Sequence, residues 1–186
     1  MKRDTLDRLI SSTGLIVAVV FLAASCVLFY AHHFIHSQVY DQLSAQQITF
    51  PAAGSASLKA LPPADQAAMS KYAGEELVNG AQAETFADHY IAVHLSEIGA
   101  GKTYSQLSTE SRANPSNKVL AGKVSTVFQG ETLRSMLLNA YAYDTMAVVA
   151  NATAYGVLIA GLVLLVLSAL GFYHAGRVKT TAKSRR

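Results

Sequence analysis

Two long uncharged runs, residues 9–31 and residues 145–173, bracket this chain of 186 residues and constrain its fold more than any other feature. An α-helix rises about 1.5 Å per residue, so about 20 apolar residues cross the roughly 30 Å hydrocarbon core of a bilayer, and both runs meet that length. The chain therefore reads as a membrane hairpin that carries residues 32–144 between two spans. Residues 145–173 would measure roughly 43 Å as helix, longer than the hydrocarbon, so the first turns of the second span are expected to stand outside it. Tyr155 above and Phe172 with Tyr173 below would then form aromatic belts.

Lys and Arg flanking a span are retained on the cytoplasmic side, and both tails are basic. Residues 1–8 carry Lys2, Arg3 and Arg8 against Asp4 and Asp7, and residues 174–186 carry Arg177, Lys179, Lys183, Arg185 and Arg186 with no acid. The intervening segment is net acidic. The expected arrangement is a multi-pass protein of the cell (inner) membrane, both termini cytoplasmic and residues 32–144 extracytoplasmic. The formal charge of +3 is thus concentrated in the tails, where it can meet membrane lipid, and it gives no support for a nucleic-acid groove.

Cys26 is the single cysteine and lies within the first run, so no intrachain disulfide can staple the middle segment. Ala23-Ala24-Ser25-Cys26 is similar to a lipoprotein signal, but the apolar run continues through Val27, Leu28, Phe29 and Tyr30, where such a signal turns polar. A cleaved signal peptide has an apolar core of about 7–15 residues, shorter than this one.

Turn chemistry divides the middle segment. Residues 32–48 lack Pro and Gly and can continue the first span, with Val39 and Leu43 facing neighbours. Pro51, Gly54, Pro62 and Pro63 make residues 50–63 a loop. A short helix is expected over Ala64 to Tyr72, ending at Gly74. Another should begin near Asn79 or Gly80, with Ala87, Ile91, Leu95 and Ile98 in one stripe, and stop at Gly99-Ala-Gly101. Thr103 to Arg112 suits one more short helix, and Ser116 offers an N-cap after Pro115. From there Leu120, Val124, Val127, Leu133, Leu137 and Tyr141 form a helical stripe with a phase slip near Gly130, running straight into the second span. Alternating strand patterns are absent. The expected fold is all-α: two transmembrane helices with an extracytoplasmic helical bundle continuous with them.

Several constellations bear on chemistry. Gly101-Lys102-Thr103 matches the end of a phosphate-binding loop, but Ser96 replaces its first glycine and a helix rather than a strand precedes it, so a helix cap and turn fits better. His32 and His36 have the i, i+4 spacing of a shared metal, with no third ligand nearby; at the outer end of a span, histidines are commonly interfacial residues. His94 and Glu97 share a helical face beside Asp88 and His89, in the reverse order of the Glu-x-x-His pairs of di-iron bundles and without a second copy. These four, His32, His36, His94 and Glu97, are the metal candidates, and no metal, catalytic group or cofactor is expected. Glu84 falls within the apolar stripe, where a buried acid needs a partner such as Lys123 or Arg134. In the spans, Gly14 with Ala18 and Gly156 with Ala160 have the small-x-x-x-small spacing that lets helices approach closely, either the two spans against each other or a span against another membrane subunit.

Residues 40–50 (YDQLSAQQITF), 86–95 (FADHYIAVHL) and 130–141 (GETLRSMLLNAY) together resemble uncharacterised actinobacterial two-span membrane proteins, over most of the chain. Some such proteins carry an aromatic ring-opening dioxygenase label. That chemistry needs an organised iron site, and no set of ligands assembles one from this sequence. The expected function is non-enzymatic: an accessory or scaffold subunit whose external domain meets a membrane or envelope protein partner, or a homo-oligomer. The alternatives are an extracytoplasmic ligand sensor that signals laterally to a membrane partner, and a metal-dependent enzyme using the histidines.

Overall fold

The computed structural model describes residues 3–184, with side chains described for residues 5–177, and all its named elements are helical. They are α1 (Arg3–Ser44), α2 (Ala56–Lys59), α3 (Pro63–Ser70), α4 (Gly80–Phe86), a π turn (Ala87–Ile91), α5 (Ala92–Gly99), α6 (Tyr104–Ala113) and α7 (Lys118–Ser184). Among the described residues the sole strand-like pairing is an isolated bridge between Thr49 and Glu76. Thr5–Ser44 and Lys118–Arg177 are long and apolar enough to cross a membrane. Only 11% of the most apolar stretch of each is buried within the protein, whereas the core helix of a soluble domain would be mostly covered. The basic residues Lys2, Arg185 and Arg186 lie outside the described residues, as do the side chains of Arg3, Asp4, Lys179 and Lys183.

The chain divides into two compact units, one made of the residues up to Phe34 together with those from Ala147 onward, the other of Ile35–Met146.

In the first unit α1 and α7 run antiparallel, and small residues set how closely they approach. Ala147, Ala154, Gly161, Ser168 and Ala175 recur every seven residues along α7 and all are buried; Ser11, Ala18 and Ser25 do the same on α1. A seven-residue repeat keeps one seam facing its partner, and small side chains in that seam bring the backbones together. A Cβ added at Gly161 would press on Phe21 and Leu22, one at Gly14 would stand 2.6 Å from Ser168 Oγ, and one at Gly171 would collide with Ser11 Oγ. The buried hydroxyl of Ser25 donates to Leu22 O at 2.8 Å, a local bond that satisfies it without a partner helix.

The second unit builds its core from Val39 and Leu43 of α1, Phe50, Leu58, Leu61, Met69 and Leu77 of the connecting segments and α2–α3, the stripe Phe86, Ala87, Ile91 and Leu95, and Val127 and Leu137 of α7. The segment 50–63, read as a loop, contains the one-turn helix α2, because Ser55 accepts from the Leu58 amide and Leu58 is buried as its anchor. Gly74 adopts the left-handed conformation expected after α3. Asn79 caps α4 through the Gln82 amide at 2.9 Å.

The helix through residues 80–99 is interrupted by the π turn, closed by the Ala92 amide on Ala87 O. This wider turn keeps Ala87, Ile91 and Leu95, spaced by four, on the buried side rather than letting them drift around the helix. Gly130 explains the phase slip in the α7 stripe: it sits on the packed face between Val127 and Leu137, and Leu95 fills the space its missing Cβ leaves. Leu133, assigned to that stripe from the sequence, is exposed instead. The cap of α7 also differs from expectation. Asn117, not Ser116, accepts from the Leu120 amide at 3.0 Å, while the Ser116 hydroxyl turns to Asn114 Oδ1.

Candidate functional site

A polar node of the second unit that links distant helices is Asp144 on α7. Its Oδ1 accepts from His36 Nδ1 on α1 at 2.9 Å, and its Oδ2 accepts from the Gly80 amide at the N-terminus of α4, also at 2.9 Å. The carboxylate therefore serves as a second cap for α4, where unsatisfied amides and the helix dipole favour an anion. Gly80 is required here, since a Cβ would run into the Asp144 side chain. His36 remains half open to its surroundings, with 54% of its side chain exposed against 14% for Asp144. The node joins three helices that are far apart in sequence.

The group Asp88, His89, His94 and Glu97 does not converge. Asp88 Oδ1 accepts from Arg134 Nη2 on α7 at 2.7 Å, and His89 Nδ1 bonds Asp65 Oδ1 on α3 at 2.7 Å. His94 Nδ1 donates back to Tyr90 O at 2.7 Å, and Glu97 is exposed. In the first unit His32 Nδ1 donates to Ala147 O, 2.9 Å away. Among the described residues no three His, Cys, Asp or Glu side chains come close enough to hold a metal ion.

Glu84 is half-buried rather than enclosed, and its expected partner Arg134 pairs with Asp88 and, more loosely at 3.6 Å, with Glu131. The stripe carries Ala83 and Ala87 inward at the positions flanking Glu84, which leaves the acid at the edge. Lys102 is engaged by both oxygens of Glu110, at 2.7 and 2.9 Å. The turn before it is a helix end: Ala100 is left-handed, the Gly101 amide reaches back to Ser96 O, and Thr103 with Gln106 forms a capping box that starts α6.

Gly14 and Ala18 lie on the packed seam of α1, Ala18 fully buried. Gly156 does not: it is exposed, with no atom within 4 Å of a built Cβ, and Ala160 is half-buried. The seam on α7 follows the seven-residue series through Gly161 and leaves Gly156 on the outward side of the helix. Cys26 is exposed and unpaired.

One surface feature was not singled out by the sequence. On α7, Leu133, Met136 and Tyr143 are 40%, 64% and 58% exposed and lie on one side at helical spacing. The signal was present as a charge gap: between Arg134 and Arg177 the sequence holds a single acid, Asp144, which is turned inward to His36 and Gly80. The chain matches no protein-family model, and neither a curated protein nor a solved structure is significantly similar to it.

Proposed function

We propose that this chain is a non-enzymatic membrane protein that acts as an accessory or scaffold subunit, with residues 32–144 outside the cytoplasm and bound to a helical membrane partner. The observation that carries this reading is the uncharged outer face of α7 at Leu133, Met136 and Tyr143. Contiguous exposed apolar side chains on a helix favour a partner that covers them. The absence of charged residues between Arg134 and Arg177 of α7, apart from Asp144, suits an equally uncharged helix of another membrane subunit. The basic tails support the orientation through retention of Lys and Arg inside.

The test is purification of a tagged copy in mild detergent, with a photo-crosslinking residue at position 136, followed by mass spectrometry. One membrane protein should be recovered in stoichiometric amount and crosslinked at that position. Met136→Glu and Tyr143→Glu should release it, whereas Ser125→Glu, at another exposed position of the same helix, should not. Recovery of a homo-oligomer alone would overturn the accessory role.

A sensor that signals laterally is supported by a different observation, the Asp144 node. A ligand that competes for His36 would act at once on α1, α4 and α7.

A further inference from the structure

The first unit contains a cleft of about 380 Å³ between one end of α1 and the facing end of α7. Asp7 and Ser11 line it from α1, and Leu164, Leu167, Ser168 and His174 line it from α7. Its floor is built from glycine and serine. Gly14 and Gly171 leave room for the hydroxyls of Ser168 and Ser11, which are each only 4% exposed. Asp7 Oδ2 is buried in this setting with no hydrogen-bond partner. An unmatched carboxylate oxygen is unfavourable unless a donor reaches it, and a charged donor is the strongest available. The apolar side of the cleft is open outward: Leu167 is 58% exposed.

We propose that this cleft binds the primary ammonium headgroup of a membrane lipid, the ammonium donating to Asp7 and the acyl chains lying along Leu164 and Leu167. Three features select that chemistry. The carboxylate oxygen needs an N–H donor, which a primary ammonium has and a quaternary ammonium lacks. The neighbouring walls are hydrocarbon, so the ligand is amphipathic rather than a free soluble amine. A phosphoglycerol headgroup brings negative charge to Asp7 and is disfavoured. The proposal rests on the reading of α1 and α7 as membrane spans, and it adds a ligand to that reading.

The experiment reconstitutes the full chain into nanodiscs, extracts it gently and measures retained lipid by native mass spectrometry. Phosphatidylethanolamine, phosphatidylcholine and phosphatidylglycerol are offered in equal amounts. The wild-type protein should retain one phosphatidylethanolamine about tenfold over either other lipid, the ratio expected of one charge-assisted hydrogen bond. Asp7→Asn should abolish the preference and Asp7→Glu should keep it, with elution as a single species in both. Equal retention of ethanolamine and choline lipids by the wild-type protein overturns the proposal, as does a preference that persists in Asp7→Asn. If glycerophosphoethanolamine, which has the headgroup without acyl chains, binds as tightly as the lipid, the lipid assignment falls. A chain that does not enter nanodiscs overturns the membrane reading itself, whereas insertion without lipid preference overturns only the site.

Discussion

Single carboxylates decide much of the second unit. Removing Asp144 takes one acceptor from the Gly80 amide and one from the His36 ring, and hydrogen bonds to a charged group contribute about 1.5–3 kcal/mol each at most. Asp144→Ala should lower the stability of the unit by about 2–3 kcal/mol, read as an earlier calorimetric transition in detergent. Glu84 and Asp88 should behave differently from one another. Asp88→Ala breaks a pair whose side chains are 39% and 32% exposed, so the loss should stay within about 1 kcal/mol. Glu84→Ala should move the same transition less than Asp88→Ala does; a larger effect would mean that Glu84 holds the partner the sequence assigned to it. These roles were only partly legible. The apolar stripe placed Glu84 among its buried positions, whereas packing puts Ala83 and Ala87 inward and leaves the acid half-buried at the edge. The role of Asp144 depends on residues 64 and 108 positions away, a distance over which periodicity carries no information.

Glycines act as spacers between elements, and two of them allow sharp comparisons. At Gly130 a larger side chain would displace Leu95, so Gly130→Val should cost about 1–3 kcal/mol and Leu95→Ala in the same chain should recover part of it. In the first unit, Gly161→Ile presses on Phe21 and Leu22 and should destabilise the helix pair by a similar amount, about 1–3 kcal/mol, while Gly156→Ile should be near neutral. Equal effects at positions 156 and 161, measured as thermal transitions in one detergent, would mean that the seam lies elsewhere. Most element boundaries could be read in advance because Asn79, Gly74, Gly101 and Thr103 are local signals that act within a turn of where they stand. The seven-residue seam was visible in Ala147, Ala154, Gly161, Ser168 and Ala175, yet an apolar helix rich in alanine offers several spacings, and only the facing helix selects among them. The π turn leaves no such local mark, since it arises from packing Ala87, Ile91 and Leu95 against one core.

At the scale of the whole molecule, two long apolar helices define what can be tested about orientation. In a Cys26→Ala background, Ser116→Cys should react with an impermeant maleimide in intact cells, and Gly176→Cys only after the membrane is opened; the reverse pattern would place the middle domain inside. The two long apolar helices were readable from the length of their uncharged runs, which match the number of residues that crosses hydrocarbon as helix. The outer face of α7 was less so, since exposure depends on which neighbours cover a helix.

The rings of Phe50, Tyr72, Phe86, Tyr90 and His94 form a connected series with centroids 4.4–5.3 Å apart, all in the second unit, and the chain has no tryptophan. That gives the protein two separate optical signatures. Far-ultraviolet dichroism is dominated by the long helices α1 and α7, whereas near-ultraviolet dichroism is sensitive to the fixed packing of these tyrosines and phenylalanines. Detergents that preserve the first signal while erasing the second would hold the helices and lose the domain, and a single Phe86→Trp would add a fluorophore whose emission reports on that core alone.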